Sequence, residues 1–242
     1  SSVVQLKKLS PQTLLFTIRS FNEDYRALID SIVTANNKLI TGTPNLIIDV
    51  RGNGGGSDFS FSPLLKYLYT HPYKRVTSEI LCTSDNIDRY RRLAQMDVFT
   101  KEEKENFIKR AAEMEQHKGT FWTSAPLYID AEQQTAQAQP QKVAVIVDGG
   151  CASTTEQFLL DAASNSSKTK IYGAPTAGVL DYANMDNYLL PGTSIGIAYA
   201  TSRSRRIDLG KGIDNVGVQP HVAIPKEVTN WIKFVQQDLE RR

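Results

Sequence analysis

The sequence predicts an α/β fold, and three observations lead to that prediction. Thr13 to Phe21 alternates side chains as a strand does, and Tyr25 to Val33 follows with apolar residues at helical spacing. A second apolar strand, Leu46 to Val50, comes next. A third strand, Val143 to Val147, precedes another helical pattern. Strands that alternate with helices predict parallel pairing through right-handed crossovers, with ligands bound beyond the carboxyl ends of the strands.

The alternation is interrupted between the second and third strands. Asp58 to Tyr69 predicts a helix, Glu79 to Thr83 a short strand, and Asp85 to Lys118 a charged helical stretch. Ala131 to Gln141 is polar and has no periodicity, so it predicts a connector. We therefore expect one domain over residues 1–242, with residues 58–141 forming an inserted helical lobe and connector.

The last third of the chain predicts strands and then a terminal helix. Lys170 to Ala174, Asn187 to Leu190 and Ile195 to Thr201 have strand patterns. Ser202 to Lys211 predicts a basic exposed loop. Pro225 is expected to open the terminal helix, whose apolar residues recur on one side.

Size and charge limit the classes of function. The 242 residues suffice for one large domain around a sizeable core. A formal net charge of +2 predicts neither a nucleic acid nor an anionic membrane as partner. No apolar stretch is long enough to cross a bilayer. Two cysteines, Cys82 and Cys151, do not make a disulfide framework, and no Cys/His cluster has zinc-site spacing.

The turn after the third strand has the features of a nucleophile site. Ser153 opens a helical pattern directly after the sequence GGCA, so it lies where a strand turns sharply into a helix. Such a turn exposes its residue at the sheet edge and directs free N–H groups of the first helical turn towards it. The local sequence leaves a second interpretation open, in which Ser153 and Glu156 form an ordinary capping box. Cys151 is expected to be a small buried residue.

A second strand end carries glycines instead of side chains. The segment NLIIDVRGNGGGS, residues 45–57, has glycines at positions 52, 54, 55 and 56. Such a loop can present consecutive N–H groups to an anion. A serine at one strand end and bare amides at another are the parts that acyl transfer needs. Asp49 and Arg51, at the same strand end, are expected to be structural.

Five motifs occur in the order DVRGNGGG, GCASTTEQF, GAPTAG, LPGTS and GVQP. This set resembles the serine peptidase family of C-terminal processing (tail-specific) proteases and the tricorn core protease, over roughly Thr13 to Ile224. The resemblance implies a core of stacked ββα units like that of the ClpP and crotonase superfamily. It also implies a peptide or unfolded protein as substrate and no metal or organic cofactor. Family members are usually exported, so it further implies a location in the periplasm or cell envelope.

The resemblance assigns roles to individual residues. Ser153 becomes the nucleophile, because the family serine lies three residues before a Glu, here Glu156. The N–H of Thr154 and one from Gly54 or Gly55 would form the oxyanion hole, where losing one donor typically costs about 3 kcal/mol in the transition state.

The general base is not supplied by the motifs. The tail-specific branch has a lysine just after GxPTxG, where this chain has Val179, and Lys168 and Lys170 are expected to be solvated. The tricorn-like branch instead uses a His from an upstream segment and an acidic residue that matches Asp214, an Asp where that branch is expected to have Glu. A second interpretation of Asp214, as a turn residue whose side chain bonds the nearby backbone, stays open. The chain resembles that branch more closely. We therefore expect it to be the catalytic part of a protein whose helical or PDZ-like front is not included.

The three histidines have ordinary interpretations. His71 is expected at a helix end, His117 at the C-terminal end of a charged helix, and His221 at a surface strand position.

Two other classes of function fit the same fold. Loss of the lysine, and His221 where the family usually has Asp, would suit a catalytically inactive module that binds peptides or lipids. A crotonase-like acyl-CoA enzyme would use the same amide pair on a thioester, without needing Ser153.

Overall fold

The computed structural model describes residues 2–97 and 99–241, which form two compact units. The first unit comprises Ser1–Arg75, Asp130–Leu180 and Ile213–Arg242, and the second comprises Val76–Ile129 and Asp181–Gly212. None of the helices in the described part of the chain has the length and apolar character of a membrane span.

The secondary structure alternates as the sequence predicts in the first unit. The strands are β1 Val4–Lys8, β2 Thr13–Ile18, β3 Asn45–Asp49, β4 Lys74–Val76, β5 Ser78–Leu81, β6 Phe121–Trp122, β7 Tyr128–Asp130, β8 Lys142–Val147, β9 Thr169–Gly173, β10 Tyr182–Leu189, β11 Gly196–Ser204 and β12 Val222–Ala223. The helices are α1 Arg26–Ala35, α2 Asn37–Thr41, α3 Asp58–Leu68, α4 Ser84–Leu93, α5 Lys101–Glu115, α6 Thr154–Ser164 and α7 Trp231–Glu240. Two 3-10 segments, Glu23–Tyr25 and Ile207–Leu209, complete the assignment.

The first unit is built on a six-stranded sheet in the order β1-β2-β3-β8-β9-β12. The β1–β2 pair is antiparallel and the other pairs are parallel, with Ile48 opposite Val145 and Val145 opposite Ile171. The α/β fold class is therefore confirmed. Because β3 and β8 run side by side in the same direction, the glycine loop and the Ser153 turn follow neighbouring strands at one edge of the sheet.

Both faces of this sheet are buried, which explains the continuous apolar runs in β3 and β8. Ile48 and Val145 lie in a core shared with α1, α3 and α6. Ile47 and Ile146 point to the other face, where they pack with α7. The first of these cores contains three aromatic rings, with centroids 5.5–5.8 Å apart, that join the end of β2 to α3 and α6. They are Phe21, Phe61 and Phe158.

The second unit has its own sheet and its own core. Its strands form a four-stranded sheet in the order β10-β11-β5-β6. A small separate cluster of Cys82, Ile87, Ala111 and Met114 joins α4 and α5 to this unit.

The insertion differs from the predicted lobe in extent and in content. We predicted a helical lobe over residues 58–141, but α3 packs in the core of the first unit through Phe61 and Leu64. The second unit instead takes two chain segments, and β10 and β11 from the later segment pair with β5. The predicted basic loop from Ser202 is still strand as far as Ser204. The terminal helix starts at Trp231, capped by Asn230, and not at Pro225.

Candidate active site

Ser153 lies at the N-cap of α6 in a backbone conformation that is unusual for a residue with a side chain. Its φ is 54° and its ψ is −122°, and the residue is half-buried at the sheet edge. A non-glycine residue in such a region costs about 1–3 kcal/mol and persists only where the surroundings impose it. The strand–turn–helix context and the positive φ are the features of a nucleophile elbow.

The Glu156 carboxylate connects Ser153 to the GAPTAG loop. Glu156 is completely buried, and its Oε2 accepts the Ser153 N–H at 3.1 Å and the Val179 N–H at 3.0 Å. Its Oε1 accepts the Thr176 hydroxyl at 2.5 Å and the Gly178 N–H at 2.7 Å. Four donors satisfy the carboxylate, as a buried charge requires. The capping interpretation of Glu156 is thus correct but incomplete, because the same side chain also fixes a second loop.

The glycine loop approaches the elbow so closely that side chains would not fit. A Cβ on Gly55, where φ is 106°, would lie 3.0 Å from both Ser153 Cβ and Thr154 N. A Cβ on Gly56 would overlap the backbone of Phe21. Glycine is therefore required at both positions by close approach and by positive φ.

Two N–H groups near Ser153 have no acceptor among the described residues. They belong to Thr154, at the first position of α6, and to Gly54. The N–H of Gly55 donates instead to Asn53 Oδ1 at 3.0 Å. Of the two glycines predicted for the oxyanion hole, Gly54 is thus the one whose N–H has no acceptor among the described residues. Gly55 has no side chain, and this allows the glycine loop to approach Ser153 closely. The role of these amides in catalysis stays a prediction.

The strand end below the glycine loop is held by an ion-pair cluster. Asp49 is fully buried and accepts from Arg19 Nη2 at 2.7 Å and from Arg51 Nη2 at 2.8 Å. Burial alone would raise the pKa of Asp49, but the hydrogen bonds from Arg51 and Arg19 outweigh it and lower the pKa. Asp49 and Arg51 form an ion pair with each other, which fits the structural role predicted for them.

Cys151 is not a competing nucleophile. Its side chain is completely buried, and Sγ donates to the Val50 carbonyl oxygen at 3.1 Å. Burial raises the pKa of the Cys151 thiol to about 12. A thiol that stays protonated at neutral pH is a poor nucleophile, so Cys151 is a packing residue between the two strand ends.

The GAPTAG loop and the GVQP loop are joined through backbone contacts. Asn215 N–H donates to the Gly178 carbonyl oxygen at 2.9 Å, and Val218 N–H donates to Thr176 Oγ1 at 2.7 Å. A Cβ on Gly217 would overlap the Thr176 carbonyl, so the approach requires glycine. Asp214, in the same loop, accepts the Leu180 N–H at 2.8 Å.

Asp214 is therefore linked to Ser153 through intermediate hydrogen bonds. The link runs through Leu180, which follows Val179, and through Glu156, which bonds both Val179 and Ser153. Its predicted role of orienting a base is not tested by this geometry.

Neither histidine of the first unit hydrogen-bonds Ser153. His71 bonds to Thr70 Oγ1 at 2.9 Å. His221 Nδ1 accepts the Ile171 N–H at 2.9 Å, so its ring continues the pairing of β12 with β9 by one residue. Lys168 reaches the Gln137 carbonyl at 3.1 Å and precedes β9, whereas Ser153 follows β8. Because β8 and β9 are parallel, Lys168 and Ser153 lie at opposite sheet edges. His117 belongs to the second unit and stacks on Trp122.

Three residues that the sequence analysis did not single out complete the site. Asn53 orients the glycine loop through Gly55, and Asp148 Oδ1 accepts the Gly52 N–H at 2.8 Å. Thr176 bonds Glu156, and its place inside GAPTAG was a signal that could have identified it.

Comparison with known proteins gives a family by sequence profile and similar folds among solved structures. The sequence profile of peptidase family S41 matches residues 12–224. No curated protein matches the chain. A Parabacteroides merdae protein provisionally described as a peptidase has a similar structure, with a TM-score of 0.62, 16% identity, and coverage of 99% of this chain and 65% of that one. Mature CPAF gives a TM-score of 0.61 at 18% identity, over 88% of this chain and 46% of that one.

The photosystem II D1 C-terminal processing protease gives a TM-score of 0.56 at 16% identity, over 95% of this chain and 50% of that one. The chain thus spans about half to two thirds of the length of these structures, and the similarity to them establishes the fold. With the family profile covering nearly the whole chain, the conclusion is that this protein belongs to peptidase family S41, a family of serine peptidases.

Proposed function

We propose that the chain is the catalytic part of a serine endopeptidase that cleaves unfolded or C-terminal peptide segments. The observation that carries this proposal is the strained Ser153 turn with the unpaired N–H groups of Thr154 and Gly54 beside it. Ser153 Oγ attacks the scissile carbonyl carbon, and the carbonyl oxygen becomes an oxyanion that the two amides bind. Collapse of this intermediate leaves an acyl-enzyme and releases the amine.

The proton balance of this mechanism needs a base. The base takes the Ser153 hydroxyl proton and delivers it to the leaving amine, and water later hydrolyses the ester. Since neither histidine of the first unit hydrogen-bonds Ser153, we assign this role to a histidine outside residues 1–242, oriented through a network that reaches Asp214. This is the tricorn-like arrangement. An exported location in the periplasm or cell envelope, as is usual in the family, belongs to the same proposal.

The experiment is intact-mass measurement after treatment with a fluorophosphonate probe. It is run on the longest native form of the protein and on residues 1–242, each with Ser153→Ala as control. Labelling of the longer wild type, absence of labelling in Ser153→Ala, and slow labelling of residues 1–242 are the expected results. A Cys151→Ala variant should be labelled like the wild type.

A binding role on the same fold is the second candidate. The absence of a hydrogen bond between Ser153 and either histidine of the first unit favours it. If the longer form stays unlabelled, Ser153 is not activated, and a module that binds peptides or lipids replaces the peptidase proposal.

A further inference from the structure

The glycine loop and the turn before Ser153 meet at a second place, between Gly52 and Gly150. A Cβ on Gly150 would lie 3.0 Å from Gly52 Cα, so the two backbones are in close contact there. Thr154 follows Gly150 by four residues, and Gly54 follows Gly52 by two. The two segments that meet here therefore also carry the N–H groups of the candidate oxyanion hole.

Asp148 hydrogen-bonds both segments with a single oxygen atom. It follows directly after β8 and is half-buried. Its Oδ1 accepts the Gly150 N–H at 3.0 Å and the Gly52 N–H at 2.8 Å. The first bond closes a turn within the segment that leads to Ser153, as Asp side chains often do two residues along the chain. The second bond reaches across to the glycine loop, so the same oxygen shapes one segment and joins it to the other.

Both segments need such a bond, because glycine leaves their backbones free. The turn contains Gly149 and Gly150, and the loop begins at Gly52, where φ is 71°. Glycine loses more conformational freedom on folding than any other residue. A hydrogen bond to a carboxylate is roughly twice as strong as one between neutral groups, so Asp148 is well suited to fix these residues.

Other hydrogen bonds also join the two segments. Three of them, 2.9–3.1 Å long, do not involve Asp148: Ala152 N–H to the Asn53 carbonyl oxygen, Cys151 Sγ to the Val50 carbonyl oxygen, and Thr154 Oγ1 to the Gly56 carbonyl oxygen. The strand ends should therefore stay joined in a variant that lacks the Asp148 carboxylate, and that variant should fold. What it loses is the fixed position of Gly52 and Gly150.

We propose that Asp148 is a positioning residue for the oxyanion hole, acting through the Gly52 and Gly150 amides. By binding both amides, Asp148 Oδ1 fixes the glycine loop relative to the turn at Gly150. It thereby sets the separation of the Gly54 and Thr154 N–H groups. This catalytic consequence rests on the proposed peptidase function, whereas the hydrogen bonds between the two segments do not depend on it.

The position needs an acceptor oxygen above all, and the charge adds strength to its bonds. Among the described residues, Asp148 Oδ2 has no hydrogen-bond partner, so an amide nitrogen can take its place without breaking a bond. Asp148→Asn therefore keeps the acceptor for both amides, whereas Asp148→Ala removes it. Asp238→Ala is the matched control, because Asp238 is a half-buried carboxylate of the same unit that accepts from Tyr172 Oη at 2.8 Å.

Two readouts separate positioning from stability. The first is the chemical shift of the Gly54 and Thr154 amides, measured by NMR in residues 1–242. The second is the rate of fluorophosphonate labelling in the longest native form. The urea midpoint of each variant is measured as well, so that labelling is compared among folded proteins.

In Asp148→Ala we expect the Gly54 and Thr154 amide signals to shift and labelling to slow about tenfold, because misplacing a donor weakens oxyanion binding. In Asp148→Asn both amide signals should stay near their wild-type positions, and the labelling rate should stay within about threefold. Asp238→Ala should be labelled at the wild-type rate, whatever its stability in urea.

The two proposals fail in different ways. Unchanged Gly54 and Thr154 amide signals in Asp148→Ala overturn the positioning role, whatever the activity. An Asp148→Asn variant labelled as slowly as Asp148→Ala also overturns it, because the acceptor oxygen then does not restore the site. An unlabelled wild type, with amide signals that shift in Asp148→Ala and not in Asp148→Asn, overturns the proposed peptidase function and leaves the link between the two segments as expected.

Discussion

Ser153 holds a backbone conformation that glycine adopts at much lower cost than any residue with a Cβ. Its φ of 54° and ψ of −122° are imposed by the Glu156 bond and by the glycine loop. Replacing Ser153 by Gly should therefore relieve strain, whereas replacing it by Ala should not. We expect Ser153→Gly to be about 1 kcal/mol more stable than Ser153→Ala in urea unfolding, with neither variant labelled.

The control for this prediction is Ser164→Gly, at the last residue of the same helix. There the backbone is regular, so glycine should destabilise by about 0.5–1 kcal/mol. If Ser153→Gly is less stable than Ser153→Ala, the turn stores no strain, and the argument from backbone geometry to a nucleophile elbow is lost.

The buried Cys151 thiol predicts a pH dependence of stability. Its pKa is raised from 9.0 to about 12 in the folded protein, because burial disfavours the thiolate. A raised folded pKa means that the stabilisation is complete below the unfolded pKa and is lost as the pH rises towards the folded value. Between neutral pH and about pH 10, wild type should lose about 1 kcal/mol more than Cys151→Ala or Cys151→Ser in urea unfolding.

Alkylation gives an independent check on the same residue. Iodoacetamide should not modify Cys151 in the folded protein at neutral pH, and should modify it after unfolding in urea. Rapid modification of the folded protein would mean an accessible thiolate, and Cys151 would return as a candidate nucleophile.

Residues of the candidate site could be predicted from the sequence where a local motif contains them, and not where their role depends on a partner distant in sequence. Ser153, Thr154 and the glycine loop were identifiable because a motif carries them. The choice between Gly54 and Gly55 was not, because it depends on which N–H the Asn53 side chain accepts. The second role of Glu156 also needed the fold, since its partner Thr176 is 20 residues away.

At the scale of the elements, the close packing of the GAPTAG loop against the GVQP loop depends on one glycine, Gly217. Gly217 has a φ of 73°, and a Cβ there would overlap the Thr176 carbonyl. Gly52, in the same unit, has nearly the same φ of 71° but open space around its Cβ position. We expect Gly52→Ala to cost about 1 kcal/mol and Gly217→Ala about 3 kcal/mol or more, measured by urea unfolding.

Gly52 and Gly217 have nearly the same φ, but only Gly217 has backbone atoms close to where a Cβ would lie. The difference in unfolding free energy between the two alanine variants therefore measures the cost of that steric overlap. Equal costs would mean that the two loops separate easily, and that Thr176 is not held against Glu156 through this joint.

Element prediction succeeded where burial on both sheet faces left a strong pattern. The apolar runs of β3 and β8 identified both strands correctly. In contrast, β1 is short and mostly exposed, with the sequence VQLKK, and no strand was predicted there. The start of α7 was placed too early because Pro225 suits a first helical turn, while Asn230 provides the actual cap.

The division into two units could not be predicted, because the second unit is discontinuous in sequence. Its four-stranded sheet joins strands from before and after the Ser153 helix, and the pairing of β5 with β11 spans more than a hundred residues of chain. Local periodicity carries no information on such partners, so the sequence suggested a continuous lobe.

Separate cores predict separate stabilities. Met114 is completely buried in the small cluster of the second unit, whereas Val145 is buried in the sheet of the first. Met114→Ala should remove about 2–5 kcal/mol of packing and cavity free energy from the second unit alone. Hydrogen exchange should then show lost protection in α4, α5 and β5, with β3 and β8 unchanged. Val145→Ala should lower protection in β3 and β8, and a uniform loss across both units in Met114→Ala would instead mean that the chain unfolds as a single cooperative structure.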